Sequence, residues 1–371
     1  MKSKRIALVA NTDWFLYNLR HSLIDYLSGM GYSVILISPP GLYADRLVSD
    51  GYRWIEWQVG RQSIFPIREW MAIHRLEEIY RSEKPDIVHH HTIKPVLYGS
   101  LAAGRTGVHR IVNSITGRGY VFLSHELKAR FLRPLVIALY RLALQRKNCR
   151  VIFENNFDQD YFIRRRLIRS GKTWLIRSVG VDIQKFKPTP EPVGIPVVTM
   201  ASRMLWDKGV GVFVDAARIL QSRLKVRMVL VGLPDKGNPS SVPQQQLNRW
   251  VNEGVIEWRG WQEDMAGVYS SSNVYVLPSF YEGVPRTLLE AAACGRAIIT
   301  SDIPGCREVI EDGNTGLLVP TGNPQALADA IERLASDSVL RAGLSAAARV
   351  IIVEQFSTEH VNQLTEQVYQ G

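Results

Sequence analysis

Short apolar runs rich in Val and Ile alternate along this chain with longer stretches whose apolar residues recur every three or four positions. In the first half the runs fall at 5–10, 33–38, 87–90, 110–113, 151–154 and 173–176, and the helical stretches at 16–30, 66–82 and 95–104. The runs do not alternate with polar residues, which predicts parallel strands covered on both faces. Strands separated by helices give the βαβ rhythm of a doubly wound sheet. Residues 184–196 carry four prolines in thirteen positions, break the rhythm and read as an interdomain linker. The rhythm restarts with runs at 197–200, 226–232, 256–259, 274–277 and 297–300, a helix near 212–224 and another opened by Pro285. The predicted architecture is α/β: two doubly wound, Rossmann-like domains facing a cleft where the strand carboxyl ends of both halves meet. The expected boundaries are 1–183, 184–353 and a terminal helix within 354–371.

Composition narrows the class. At 371 residues the chain exceeds a single core, in keeping with two domains. No apolar run approaches the roughly 18 residues of a spanning helix. The basic start, Lys2 to Arg5, resembles a signal n-region, yet a short strand follows and Asn11-Thr12-Asp13 ends it, so no secretory peptide is expected. Cys149, Cys294 and Cys306 are odd in number and widely spaced, which suits a reducing cytoplasm rather than a disulfide framework or a zinc site.

The net charge of +10 is concentrated: residues 118–177 hold fourteen Arg or Lys against four Asp or Glu. Within that stretch, 127–144 mixes aliphatic and basic residues at helical spacing. Such a helix suits the headgroup layer of an anionic membrane, with Lys128, Arg130, Arg133 and Arg141 on lipid phosphates. The plainer alternative is a helix packed on its own domain with solvated arginines. No interleaved aromatic platform accompanies the charge, so nucleic acid is not an expected partner.

The densest chemistry lies in residues 279–290. Glu282 sits in a turn after the apolar run at 274–277, and Glu290 stands eight positions later, about two turns into the helix that Pro285 opens. Backbone N–H groups of Gly283, Val284, Arg286 and Thr287 point out of a positive helix end, which favours phosphate. Two carboxylates flanking such a site suit the two polyols of a nucleotide-sugar. Arg203 and Lys208 follow the run at 197–200 and are placed to neutralise a leaving diphosphate. A Pro304-Gly305 loop and a turn through Gly313 and Gly316 come downstream.

In this order, these elements resemble the C-terminal half of the family-four retaining glycosyltransferases of the GT-B fold, whose paired-glutamate EX7E motif is intact here. The resemblance implies a retaining, metal-independent transfer from a nucleoside-diphosphate sugar, a UDP-sugar above all, with a terminal helix crossing back to the first domain. It implies that Glu282 positions the donor sugar, Glu290 grips the ribose, and Arg203 and Lys208 stabilise the leaving diphosphate. Leu288, Asn11 and Gly232 join the expected donor-binding positions. The segments Asn11 to Arg20, Asp86 to Pro95 and Asn113 to Phe122 are similar to the subgroup acting on undecaprenyl-diphosphate-linked sugars, including bacterial N-acetylgalactosaminyltransferases. That implies a polyprenyl-diphosphate-linked acceptor at the inner face of the cell membrane, with Trp14, His91, Lys94, Thr116 and Gly117 expected near it.

Departures from the family pattern are plain. The Gly-Gly pair of many relatives is missing after the first strand, and Thr116-Gly117 stands where many carry His-Gly. No general base is assigned. His89, His90 and His91 alternate faces on a strand and cannot share one metal ion, and no Asp-x-Asp motif is present. One of the three is expected to border the acceptor pocket. The rival reading is a GT-B sugar-nucleotide epimerase acting on UDP-GlcNAc without a lipid. The donor sugar stays open among GalNAc, GlcNAc and galactose.

Overall fold

A computed structural model of the chain describes residues 3–60, 65–117, 122 and 127–371, with backbone alone at 127–129. The chain forms two compact units, Met1–Val179 together with Val361–Gly371, and Gly180–His360.

The first unit runs β1 (Arg5–Val9), α1 (Asp13–Gly29), β2 (Ser33–Ser38), α2 (Leu42–Ser49), β3 (Arg53–Glu56), α3 (Pro66–Glu83) and β4 (Ile87–His91). A π-helical turn (Pro95–Gly99) leads into α4 (Ser100–Thr106), where sequence reading expects one helix over 95–104. Then come β5 (Arg110–Ile115), α5 (Leu127–Leu144), β6 (Cys149–Phe153), α6 (Asn156–Arg164) and β7 (Thr173–Leu175). The strands pair in parallel in the order β3-β2-β1-β4-β5-β6-β7. β1 is buried from Ile6 onward because helices cover both faces, hence its unbroken apolar run. Thr12 accepts from the Phe15 N–H and starts α1 at Asp13, three residues before the apolar periodicity shows it. β3 escapes the pattern because it is an edge strand with Arg53 and Glu56 at its ends.

The second unit runs β8 (Val197–Ala201), α7 (Val210–Leu220), β9 (Arg227–Val231), α8 (Gln244–Asn252), β10 (Glu257–Trp258), α9 (Met265–Ser270), β11 (Val274–Leu277) and α10 (Arg286–Ala293). It continues through β12 (Ala297–Ser301), α11 (Pro304–Arg307), β13 (Leu317–Val319), α12 (Pro324–Ser336), α13 (Ser338–Phe356) and α14 (Thr358–Gln370). The parallel order is β10-β9-β8-β11-β12-β13. β13, three residues at the other edge, is too short to announce itself.

The terminal helix does not begin at 354. α13 ends at Phe356, Ser357 is extended, and α14 carries the chain from the second unit into the first. There the Tyr369 hydroxyl and His89 Nδ1 share a 2.6 Å hydrogen bond, Tyr32 donates to Glu366 at 3.1 Å, and Asn362 donates to the Ser22 carbonyl at 3.1 Å. Val361, Val368 and Tyr369 fill the layer between α14 and β1.

Candidate active site

In the second unit the loops after β9, β8, β11 and β12 lie side by side at the carboxyl edge of the sheet. Parallel strands present their ligands at that edge. Lys208 Nζ meets Glu282 Oε1 at 2.6 Å, and Ser279 Oγ donates to the same oxygen at 2.7 Å. Two glycines permit this approach. Gly209 has a φ of 78°, and a Cβ there would strike the Pro278 carbonyl. At Gly305 a Cβ would strike the carbonyls of Glu282 and Gly283. The Lys208 loop therefore lies against the end of β11, while the Pro304-Gly305 turn braces the acidic turn. Gly232 follows β9, beside the Ser202 carbonyl.

Arg203 shares this edge but is half exposed, with Nη1 2.6 Å from Asp235 Oδ2. Asp235 also accepts from Asn238 at 3.0 Å, so the loop after β9 holds the Arg203 guanidinium.

Pro285 is the extended N-cap of α10 rather than its first helical residue, and Glu290 lies just over one turn in, not two. Glu290 is 5% exposed. Tyr269 donates to its Oε2 at 2.9 Å, and Arg286 Nε stands 2.7 Å from Oε1. Burial raises the Glu290 carboxyl, opposed by the charge of Arg286 and the Tyr269 hydrogen bond. Leu288 corrects another expectation: its N–H donates to the Pro285 carbonyl at 3.1 Å and its side chain is core. Gly283 and the buried Val284 form the turn before the helix, and Thr287 is half-buried in the first turn. Sequence reasoning missed Ser279, Asp235 and Tyr269. Ser279 was legible three residues before Glu282, whereas Asp235 and Tyr269 arrive from a loop and a helix that no spacing connects to the motif.

The first unit gathers its own polar groups at the carboxyl ends of β1, β4, β5 and β6. Asn11 follows β1, exposed Trp14 opens α1, and half-buried Thr116 and Gly117 follow β5. All three histidines are fully buried, so His91 borders no open pocket, contrary to expectation. His89 and His91 share one face with ring centroids 3.9 Å apart, and His90 takes the other, bonded to Tyr80 and Asn113. Among the described residues neither ring nitrogen of His91 has a hydrogen-bond partner. Burial holds His90 down to about 4 and lowers His89 and His91 well below the usual histidine range. Beside them lies Arg20, its guanidinium over the Phe15 ring. Burial pushes the Glu154 carboxyl up to about 7, with Arg20 opposing and Asp158 reinforcing. Lys94 is tied inward, donating to Glu69 and to the Gly60 carbonyl at 2.7 Å each, and is no open acceptor contact.

α5 turns an apolar stripe outward. Phe131 is 82% exposed, and Leu135, Ala138 and Leu142 follow it at helical spacing, with Arg130 and Arg141 exposed alongside and Arg133 half-buried. The Lys128 side chain lies outside the described residues. Among the described residues no helix is long and apolar enough to cross a membrane, and no group of three His, Cys, Asp or Glu is placed to hold a metal ion.

Residues 195–337 match the family described as "Glycosyl transferases group 1", and residues 5–155 match "Glycosyl transferase 4-like". The chain is 29% identical over 354 residues, 92% of each chain, to the N,N'-diacetylbacillosaminyl-diphospho-undecaprenol alpha-1,3-N-acetylgalactosaminyltransferase of Campylobacter jejuni. It is 27% identical over 291 residues, 75% of this chain and 74% of the relative, to the UDP-Gal:alpha-D-GlcNAc-diphosphoundecaprenol alpha-1,3-galactosyltransferase of Escherichia coli. Among solved structures, a glycosyltransferase from Rickettsia africae superposes with a TM-score of 0.80 at 22% identity, covering 100% of this chain and 98% of its own. HepE of Anabaena in complex with UDP gives 0.78 at 19%, covering 99% of each. These structural likenesses carry the fold.

Proposed function

The chain belongs to the group 1, 4-like glycosyltransferases, both of whose domains it carries, and on that premise we propose that it transfers an N-acetylhexosamine from a UDP-sugar to a polyprenyl-diphosphate-linked saccharide. The observation that carries this reading is the Lys208–Glu282 pair, braced by Gly209 and Gly305 at the strand ends. The named substrates of the two relatives supply the acceptor class.

In the proposed reaction the acceptor hydroxyl attacks the anomeric carbon from the side of the leaving diphosphate. The bond from that carbon to the diphosphate oxygen breaks with its electron pair on the diphosphate, which takes the hydroxyl proton. Configuration is retained and no protein base is required. Lys208, steered by Glu282, and Arg203 stabilise the charge that develops on the diphosphate, the work a divalent metal would otherwise do. Glu282 also positions the donor sugar. Glu290, with Arg286 drawn aside, accepts from the ribose hydroxyls.

The outward stripe of α5 supports peripheral attachment to the anionic cytoplasmic face of the membrane. A thermal-shift titration with UDP, GDP, dTDP and ADP, each with and without EDTA, tests the donor site. A UDP-selective shift insensitive to EDTA is expected. A shift selective for another nucleotide would replace the donor, and no shift would remove the site.

A further inference from the structure

The stripe of α5 is one exposed apolar surface of the first unit. A second apolar surface lies on α3. Phe65, Ile67, Trp70 and Met71 are each more than half exposed, and helix burial starts only at Ala72. The first turn and a half of α3 therefore projects beyond the core that holds the rest of the helix. Four large apolar side chains left exposed at one helix start suit an interaction site.

The topology places it in the same helical layer as α5. Both helices pack on the same face of the first sheet, flanking the Pro95–Gly99 turn and α4. Each follows a strand of a parallel sheet, α3 after β3 and α5 after β5, so both N-terminal ends lie at its carboxyl edge. The charge there is mostly basic, with Arg75 paired to the exposed Glu78 at 2.9 Å. Arg68 and Arg75 are exposed on α3, and Arg130 and Arg141 on α5. Glu69, the single acid of α3 before Glu77, is turned inward onto Lys94 and Tyr98. A second copy of this chain would set Arg68, Arg130 and Arg141 against their own kind, whereas an anionic bilayer complements them. Trp70 adds the ring that favours the headgroup level.

We infer that the start of α3 is a membrane wedge: Phe65, Ile67, Trp70 and Met71 enter an anionic bilayer while Arg68, with Arg130 and Arg141 of α5, meets its lipid phosphates. This deepens the membrane reading and depends on it.

Flotation of the full chain with phosphatidylcholine vesicles, with and without phosphatidylglycerol, tests the wedge. Binding is expected only to the anionic vesicles. The double substitution Phe65→Ser with Trp70→Ser should weaken it about tenfold or more, while Trp70→Phe keeps most of it. Both positions are exposed, so the thermal midpoint should stay near that of the unaltered chain. If the double variant floats normally while Phe131→Ser with Leu135→Ser does not, the wedge is wrong and the α5 reading survives. If the unaltered chain binds neither vesicle, both fall. A variant that changes the sedimenting mass and not the flotation would assign α3 to a second copy and overturn the proposal.

Discussion

Lys208 Nζ stands 2.6 Å from Glu282 Oε1, two groups 74 residues apart in the chain joined at neighbouring strand ends. Each side chain is less than a quarter exposed. The pair holds a cation at the carboxyl edge of the sheet, where the proposed reaction puts the leaving diphosphate. Lys208→Met is expected to lower turnover about a hundredfold or more, with donor affinity changed much less. Steady-state kinetics beside UDP titration separates the two, and a variant whose turnover is intact removes Lys208 from the chemistry.

Glu290 is held by Tyr269 and Arg286 before any ligand enters. Its replacement by Ala should weaken UDP binding roughly tenfold or more, since a charge-assisted hydrogen bond contributes about 1.5–3 kcal/mol. Tyr269→Phe removes one bond and leaves the carboxylate, so its effect should be smaller. Calorimetric titration with UDP checks the order, and an unchanged Kd in Glu290→Ala ends the ribose assignment.

Two glycines make a matched comparison. Gly305→Ala forces the carbonyls of Glu282 and Gly283 to move, whereas a Cβ at Gly343 in α13 meets nothing within 4 Å. The first substitution should cut turnover sharply. The second should leave turnover alone and raise stability by about 0.5–1 kcal/mol through helix propensity. Activity assays and melting curves of the two variants decide it, and equal turnover would show that the acidic turn needs no brace.

Burial raises the Glu154 carboxyl from an ordinary value near 4.5 to about 7. The folded chain therefore holds a proton there that the unfolded chain has lost between those pH values. Stability from this group is fully present below about pH 4.5 and falls as pH rises through 7, by up to about 3 kcal/mol. Glu154→Gln should flatten the fall across pH 5–7.5 in urea melts. Parallel curves for the two proteins would reject the assignment.

Both sheets were legible because Val- and Ile-rich runs such as 33–38 and 274–277 must be dry on both faces to fold at all. β3 and β13 were not, since an edge strand with charged ends or only three residues leaves no such trace. At the site, the order of Lys208, Glu282 and Gly305 along successive strand ends could be read from the chain. Which carboxylate each cation takes could not: Lys94 and Arg286 find theirs through helix packing and rotamer choice, which spacing does not record. His91 looked like a rim residue because it ends its strand, but α1 places Phe15 against it and seals it.

The hydrogen bond between Tyr369 and His89 spans 280 positions. On a ribosome working from the first residue to the last, the first unit would emerge early and yet lack the helix that covers β1 and β4. It would wait, with that layer open, through the synthesis of the whole second unit. In that order of synthesis the layer over β1 and β4 would close only after the second unit had been made.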